Sequence, residues 1–124
     1  MKVAAMFGDR KAGVVDKPDP KAAGNYAVVK VHVVPMCTEY HHFAGGGEGE
    51  SFGHEAVGEV VEVAHDDELK VGDRVVVQPQ DPCGRCYLCT QGDYIHCHTR
   101  RKIGQDSIPD GGRGRYAQYT VQQD

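Results

Sequence analysis

The chain has 124 residues, 26% of them charged, and a formal net charge of −4. That length suits one domain with a real core and is short for an enzyme with separate cofactor and substrate domains. An acidic balance without a basic stripe argues against nucleic-acid partners, the closest basic cluster being Arg100-Arg101-Lys102, and no apolar run approaches the ~20 residues that span a bilayer.

The predicted elements are short strands. Lys2 to Phe7 and Gly13 to Asp16 come first, and Tyr26 to Val34 follows as the clearest, with Ala27, Val29, Val31 and Val33 on one face and Lys30 and His32 on the other. Further strands are expected at Ala56 to Ala64, Arg74 to Gln78 and Arg115 to Val121. Between them stand turn signals at Asp19-Pro20, Gly45 to Gly49, Asp66-Asp67-Glu68 and Asp110-Gly111-Gly112. No stretch longer than about ten residues carries a helical apolar stripe. So many short strands pack most naturally as an all-β domain, a closed or nearly closed barrel with few short helices.

Four of the five cysteines, Cys83, Cys86, Cys89 and Cys97, fall in one loop. Their spacing can close a tetrahedron of thiolates around one Zn²⁺ at ~2.3 Å per bond. Paired disulfides fit less well, because neighbours two residues apart rarely reach disulfide geometry. The charged start Met1-Lys2 with its short apolar run also lacks the pattern of a secretory signal, so reduced thiols and a cytoplasmic setting are expected. An iron–sulfur cluster is the other rival. Ferredoxin loops open with the same two gaps but continue with a gap of three and a Cys-Pro, whereas this loop runs seven residues to Cys97-His98.

Cys37 and, seventeen positions on, Gly53-His54-Glu55 stand at predicted strand edges. Either ligand type alone is more often a buried hydrophobe or a satisfied histidine than a metal site. His54-Glu55 also lacks the second histidine of a metalloprotease motif, because Gly58 occupies that position. Arg74 in Gly72-Asp73-Arg74-Val75 reads as a salt-bridge former at a strand start.

Taken in order, Asp19-Pro20, the valine-rich strand into Cys37, Gly53-His54-Glu55-Ala56-Val57-Gly58, Val71-Gly72-Asp73-Arg74-Val75, the four-cysteine loop and Gly114-x-Tyr116-Ala117-x-Tyr119 carry a resemblance. Over essentially its whole length the chain resembles the N-terminal, GroES-like catalytic domain of zinc-dependent medium-chain alcohol dehydrogenases. The resemblance implies a GroES-like twisted β-barrel over residues 1–124 with a zinc lobe at about 80–105. Cys37 and His54 would be ligands of a catalytic zinc, with Glu55 beside the metal as an outer carboxylate or occasional ligand. Cys83, Cys86, Cys89 and Cys97 would hold a structural zinc in a lobe that often makes oligomer contacts, which implies a homo-oligomer. His42 would relay the alcohol proton to water, and the substrate would be a small alcohol or aldehyde.

One departure follows Cys37, where the family commonly has Gly or Arg, then Ser or Thr, then Asp. Here Thr38-Glu39-Tyr40 puts Glu39 in place of the hydroxyl, as a general base or an extra metal contact. The family's NAD(P) contacts and remaining zinc ligand come from a Rossmann domain. Neither Gly45 to Gly49 nor Gly111 to Gly114 has the G-x-G-x-x-G spacing that seats a dinucleotide, so that domain is expected to be absent and the isolated chain inactive. Two functions stay open: the substrate-side domain of a zinc- and NAD(P)-dependent oxidoreductase, or a non-catalytic zinc-stabilised β-barrel module used for assembly. An iron–sulfur electron carrier would be brown.

Overall fold

The computed structural model describes residues 1–65, 68–80, 82–98 and 114–123. The expected turn at Asp66-Asp67, the basic run Arg100-Arg101-Lys102 and the turn Asp110-Gly111-Gly112 lie outside the described residues.

Strands β1 (Lys2–Phe7), β2 (Ala12–Asp16), β3 (Tyr26–Val33), β4 (Glu48–Gly49), β5 (Ala56–Glu62), β6 (Arg74–Val77) and β7 (Tyr119–Gln123) alternate with helices α1 (Glu39–Ala44) and α2 (Tyr87–Thr90) and a 3-10 turn at Tyr94–His96. The strands form two antiparallel sheets, ordered β2-β1-β4 and β6-β5-β3-β7. They meet along β1, whose Ala4 N–H donates to the Tyr116 carbonyl at 2.8 Å while Gln118 N–H donates to the Lys2 carbonyl at 3.1 Å. On its other side the same segment is tied to β3 by Val31 N–H to the Gln118 carbonyl at 2.9 Å. The all-β, GroES-like expectation therefore holds, with residues 116–118 as the seam between sheets.

Valine patterning builds the core. Ala27, Val29, Ala56, Val60 and Val77 form one buried cluster, with Val31, Val34, Val63, Leu69 and Val75 packed at its margin. Each valine taken from water contributes roughly 1.5–3 kcal/mol. Strand β3 departs from its expected single buried face: Tyr26 to Val29 are buried on both faces, and Val33 is 61% exposed. β3 is a central strand, paired along one edge with β5 and along the other with β7. A register irregularity between Val31 and Val33 then lets it leave the sheet towards Cys37.

Three other expectations change. Glu48 and Gly49, at the end of the expected turn Gly45 to Gly49, pair with Phe7 and Met6 of β1. The last strand begins at Tyr119 rather than Arg115, because Arg115 turns its guanidinium inward to Thr120, to the Val121 carbonyl at 2.8 Å and to the Gln78 carbonyl at 3.3 Å. Arg74 opens β6 directly opposite Glu59, but no ion pair joins it to a carboxylate among the described residues.

Candidate metal centres

Lobe residues 82–98 fold around sulfur. Cys83 and Cys97 are buried, at 4% and 6% exposure, and Cys86 and Cys89 are half-buried. The Cys86 N–H donates to the Cys83 sulfur at 3.3 Å and the Cys83 N–H to the Cys97 sulfur at 3.4 Å, so the backbone turns themselves present the thiols. Helix α2 begins just after Cys86 and carries Cys89, and Cys97 follows the 3-10 turn, its N–H donating to the Tyr94 carbonyl at 3.0 Å.

All four sulfurs lie within 4.8 Å of one another. The Cys86–Cys89 separation is 3.5 Å, and Cys83–Cys89 and Cys86–Cys97 are each 3.9 Å. A tetrahedron with ~2.3 Å zinc–sulfur bonds has edges of ~3.8 Å, so these donors fit a single zinc ion. All are free thiols. The Cys89 backbone N–H pulls the Cys86 thiol below its ordinary value against the cost of burial. Burial, together with donation to neighbouring sulfurs, pushes Cys89 up to about 12.

The second set is looser. Cys37 is exposed in the segment between β3 and α1, and His54, 36% exposed, sits just before β5. Among the described residues only the four lobe cysteines bring three or more donors together, so Cys37, His54 and Glu55 do not converge as a triad. Glu55 is exposed and makes no side-chain hydrogen bond or ion pair among the described residues.

Glu39, by contrast, stands between Cys37 and His54. Its Oε1 lies 2.6 Å from His54 Nδ1, its Oε2 accepts from the Cys37 N–H at 3.1 Å, and its side chain is only 10% exposed. Burial raises its pKa, but its own N–H, the Cys37 N–H and His54 outweigh that and hold the carboxyl below the ordinary value. Its position in the first turn of α1 also sets its charge at the favourable end of the helix. His54 Nε2 and the Cys37 sulfur carry no hydrogen bond among the described residues and remain available to a metal.

Tyr116, to which the sequence alone assigns no role, ties the same two segments together. Its hydroxyl donates to the Pro35 carbonyl at 3.0 Å, two residues before Cys37. Its ring covers Gly53, where φ is +83° and an added Cβ would stand 2.8 Å from Tyr116 Cδ2 and 2.8 Å from Arg115 Cβ. Only glycine fits that close left-handed turn before His54. Burial first, then the charges of Glu39 and Cys37, raise the Tyr116 pKa, which keeps the hydroxyl protonated and donating.

His42 lies on α1 with Nε2 3.3 Å from the Glu48 carbonyl and its ring 5.6 Å from that of Phe52. No hydrogen bond or ion pair among the described residues links it to Cys37, Glu39 or His54. Between α1 and β1 a hollow of about 300 Å³ is walled by Ala4, Met6, Met36, Phe43 and Phe52, with Glu39 on its rim.

The alcohol dehydrogenase GroES-like domain family matches residues 6–124. A sorbitol dehydrogenase of Bacillus subtilis is 35% identical over 106 residues, covering 78% of this chain and 30% of that protein. An L-threonine 3-dehydrogenase of Pyrococcus abyssi is 32% identical over 130 residues, covering 98% of this chain and 35% of its own length. The chain thus spans about a third of these relatives. Alcohol dehydrogenase TADH from Thermus sp. ATN1 shares the fold with a TM-score of 0.77 at 24% identity, over 99% of this chain and 37% of that one. With the strand order, the paired sheets and the four-cysteine lobe in place, the chain belongs to the alcohol dehydrogenase GroES-like domain family.

Proposed function

We propose that this domain is the zinc- and substrate-binding part of an oxidoreductase that interconverts an alcohol and an aldehyde or ketone, the hydride passing to or from NAD(P) seated by chain outside these residues. The observation that carries the reading is the pair of uncommitted donors, the Cys37 sulfur and His54 Nε2, on segments joined through Glu39 and Tyr116. A zinc ion held there with one open position would polarise the substrate oxygen as a Lewis acid. A four-cysteine site has no such opening, so the lobe is structural and the Cys37/His54 site reactive.

This chain's own residues supply the surroundings. The apolar hollow beside Glu39 favours a substrate with hydrocarbon bulk. The hydroxyl compounds named for the relatives, sorbitol and threonine, are polar, so Met36, Phe43 and Phe52 weigh towards a less polar alcohol. His42 donates from Nε2 to the Glu48 carbonyl of β4, which leaves Nδ1 with the lone pair that would take up a proton. Glu55 remains a candidate carboxylate beside the metal, free to swing from its exposed position.

Metal analysis of the purified chain with and without His54→Ala tests the reading. About two zinc ions per chain, one tight and one readily lost, falling to one in the variant, is the expected result. One ion in both proteins would leave only the lobe occupied and favour the non-catalytic module. The chain by itself is expected to give no alcohol-dependent reduction of NAD or NADP.

A further inference from the structure

We infer that the hollow between α1 and β1 is an aryl subsite: the alcohol this domain takes carries an aromatic ring, and Phe43 is the residue that selects for it. This deepens the proposed function and rests on Cys37 and His54 holding the metal.

Both metal segments border the hollow. Met36 directly precedes Cys37, Phe52 stands two residues before His54, and Glu39 on the rim has its Oε1 2.6 Å from His54 Nδ1. A substrate oxygen bound by the metal thus leaves its hydrocarbon end beside the hollow. The space is about 300 Å³, and an apolar cavity of ~150 Å³ is already enough for benzene, so one ring with a short side arm fits.

The walls are rings and thioethers, with Phe43 and Phe52 set among Met6 and Met36. Aromatic ligands gain from edge-to-face or offset contact with such rings, and a thioether sulfur favours a ring edge. Phe43 lies four residues after Glu39 on α1 and so shares its face. Phe52 is held from behind, its Cζ 3.1 Å from the point where a Cβ on Gly49 would stand and its ring 5.6 Å from that of His42. One wall is therefore fixed before a ligand arrives, and a rigid ring loses less freedom on entry than a flexible chain of equal bulk. The polar side chains of the wall are already engaged. Both Glu39 oxygens face His54 and the Cys37 N–H, the Tyr116 hydroxyl donates to the Pro35 carbonyl at 3.0 Å, and Tyr40 is 58% exposed with its ring edge-on to His41. The further hydroxyls of a polyol would enter without partners, at the cost of their hydration.

The chain carries its own reporters. Of its three methionines, Met6 and Met36 line the hollow and Met1 does not. The zinc-loaded 124-residue protein, labelled with ¹³C at the methionine methyls, is titrated with benzyl alcohol, hexan-1-ol and sorbitol while the methyl signals are followed by NMR. The expected result is a saturable ring-current shift of Met6 and Met36 with benzyl alcohol while Met1 stays in place, weaker binding of hexan-1-ol, and no shift with sorbitol at the same concentrations. Phe43→Leu keeps apolar bulk and removes the ring, so it weakens benzyl alcohol roughly 2–10-fold and leaves hexan-1-ol unchanged. The aryl subsite is overturned if benzyl alcohol leaves the two methyls unmoved or if sorbitol shifts them as strongly. Tighter binding of hexan-1-ol, or an equal loss of both alcohols in the variant, overturns it as well, because bulk rather than the ring would then be recognised. Should the variant fail to fold, the ranking of the three alcohols on the wild-type chain decides. The zinc count in wild type and His54→Ala reads the metal assignment separately. Absent shifts with two zinc ions bound sink the subsite alone, whereas one ion in both proteins sinks the metal assignment and with it the hollow's role in holding a substrate.

Discussion

Gly58→Ala isolates how closely β5 must approach β3 to hold His54 in place. Gly58 pairs with Val31 across the two strands. A Cβ at that position would stand 2.3 Å from the Lys30 carbonyl oxygen, 2.6 Å from Val29 Cγ1 and 3.1 Å from the Lys30 carbonyl carbon. Ordinary contact begins at 3.4 Å, so the methyl falls about 1 Å inside a backbone group that cannot rotate aside. Val29 behind it is fully buried and has nowhere to go. Either β3 withdraws, weakening flanking ladder hydrogen bonds worth ~0.5–1.5 kcal/mol each, or the core is overpacked at ~1–3 kcal/mol. Either route reaches about 3 kcal/mol, a large part of the ~5–15 kcal/mol that holds a domain folded. Urea unfolding of zinc-loaded protein measures it, with Gly24→Ala as the control. At Gly24 φ is +60° but nothing lies within 4 Å, so that change costs only backbone strain, ~1–2 kcal/mol. If Gly58→Ala proves no more damaging than Gly24→Ala, the close-approach argument fails.

Cys97→Ser removes one corner of the sulfur tetrahedron, and the lobe zinc should pass to a chelator that the wild-type chain resists over the same hours; equal retention would remove Cys97 from the site. Stability should also fall in acid through Glu39. Its folded pKa lies below the ordinary 4.5, so its contribution is complete above that value and is lost as pH falls through the lower folded value. Glu39→Gln should therefore show a shallower decline below pH ~4.5 than wild type in pH-dependent thermal unfolding, and parallel declines would refute the linkage.

Much of this was legible because local signals and tertiary outcome agree. Strand β1 runs from Lys2 to Phe7 as its alternation predicts, and the cysteine spacing alone places four sulfurs within reach of one ion. The departures arise where a neighbour decides. Helix α1 has six residues, fewer than two turns, too short for an apolar stripe to repeat. The two residues of β4 become a strand only because β1 offers them an edge. One edge of β3 is paired by β7, a strand some ninety positions away in sequence. The link from Glu39 to His54 was invisible for the same reason: the sequence shows a carboxylate after Cys37 but not the direction of its oxygens. Tyr116 stood in a quoted motif, yet its task depends on which glycine its ring meets.

The guanidinium of Arg115 grips the Gln78 carbonyl at the end of β6 and the Val121 carbonyl in β7, and so pins together the point where the chain departs for the cysteine lobe and the point where it comes back. The lobe hangs from the barrel as an excursion hemmed at its base. The same clasp would keep the seam shut if the lobe lost its fold. Lengthening or trimming the excursion would alter a side loop and leave undisturbed β3, which leads into Cys37, and β5, which follows His54.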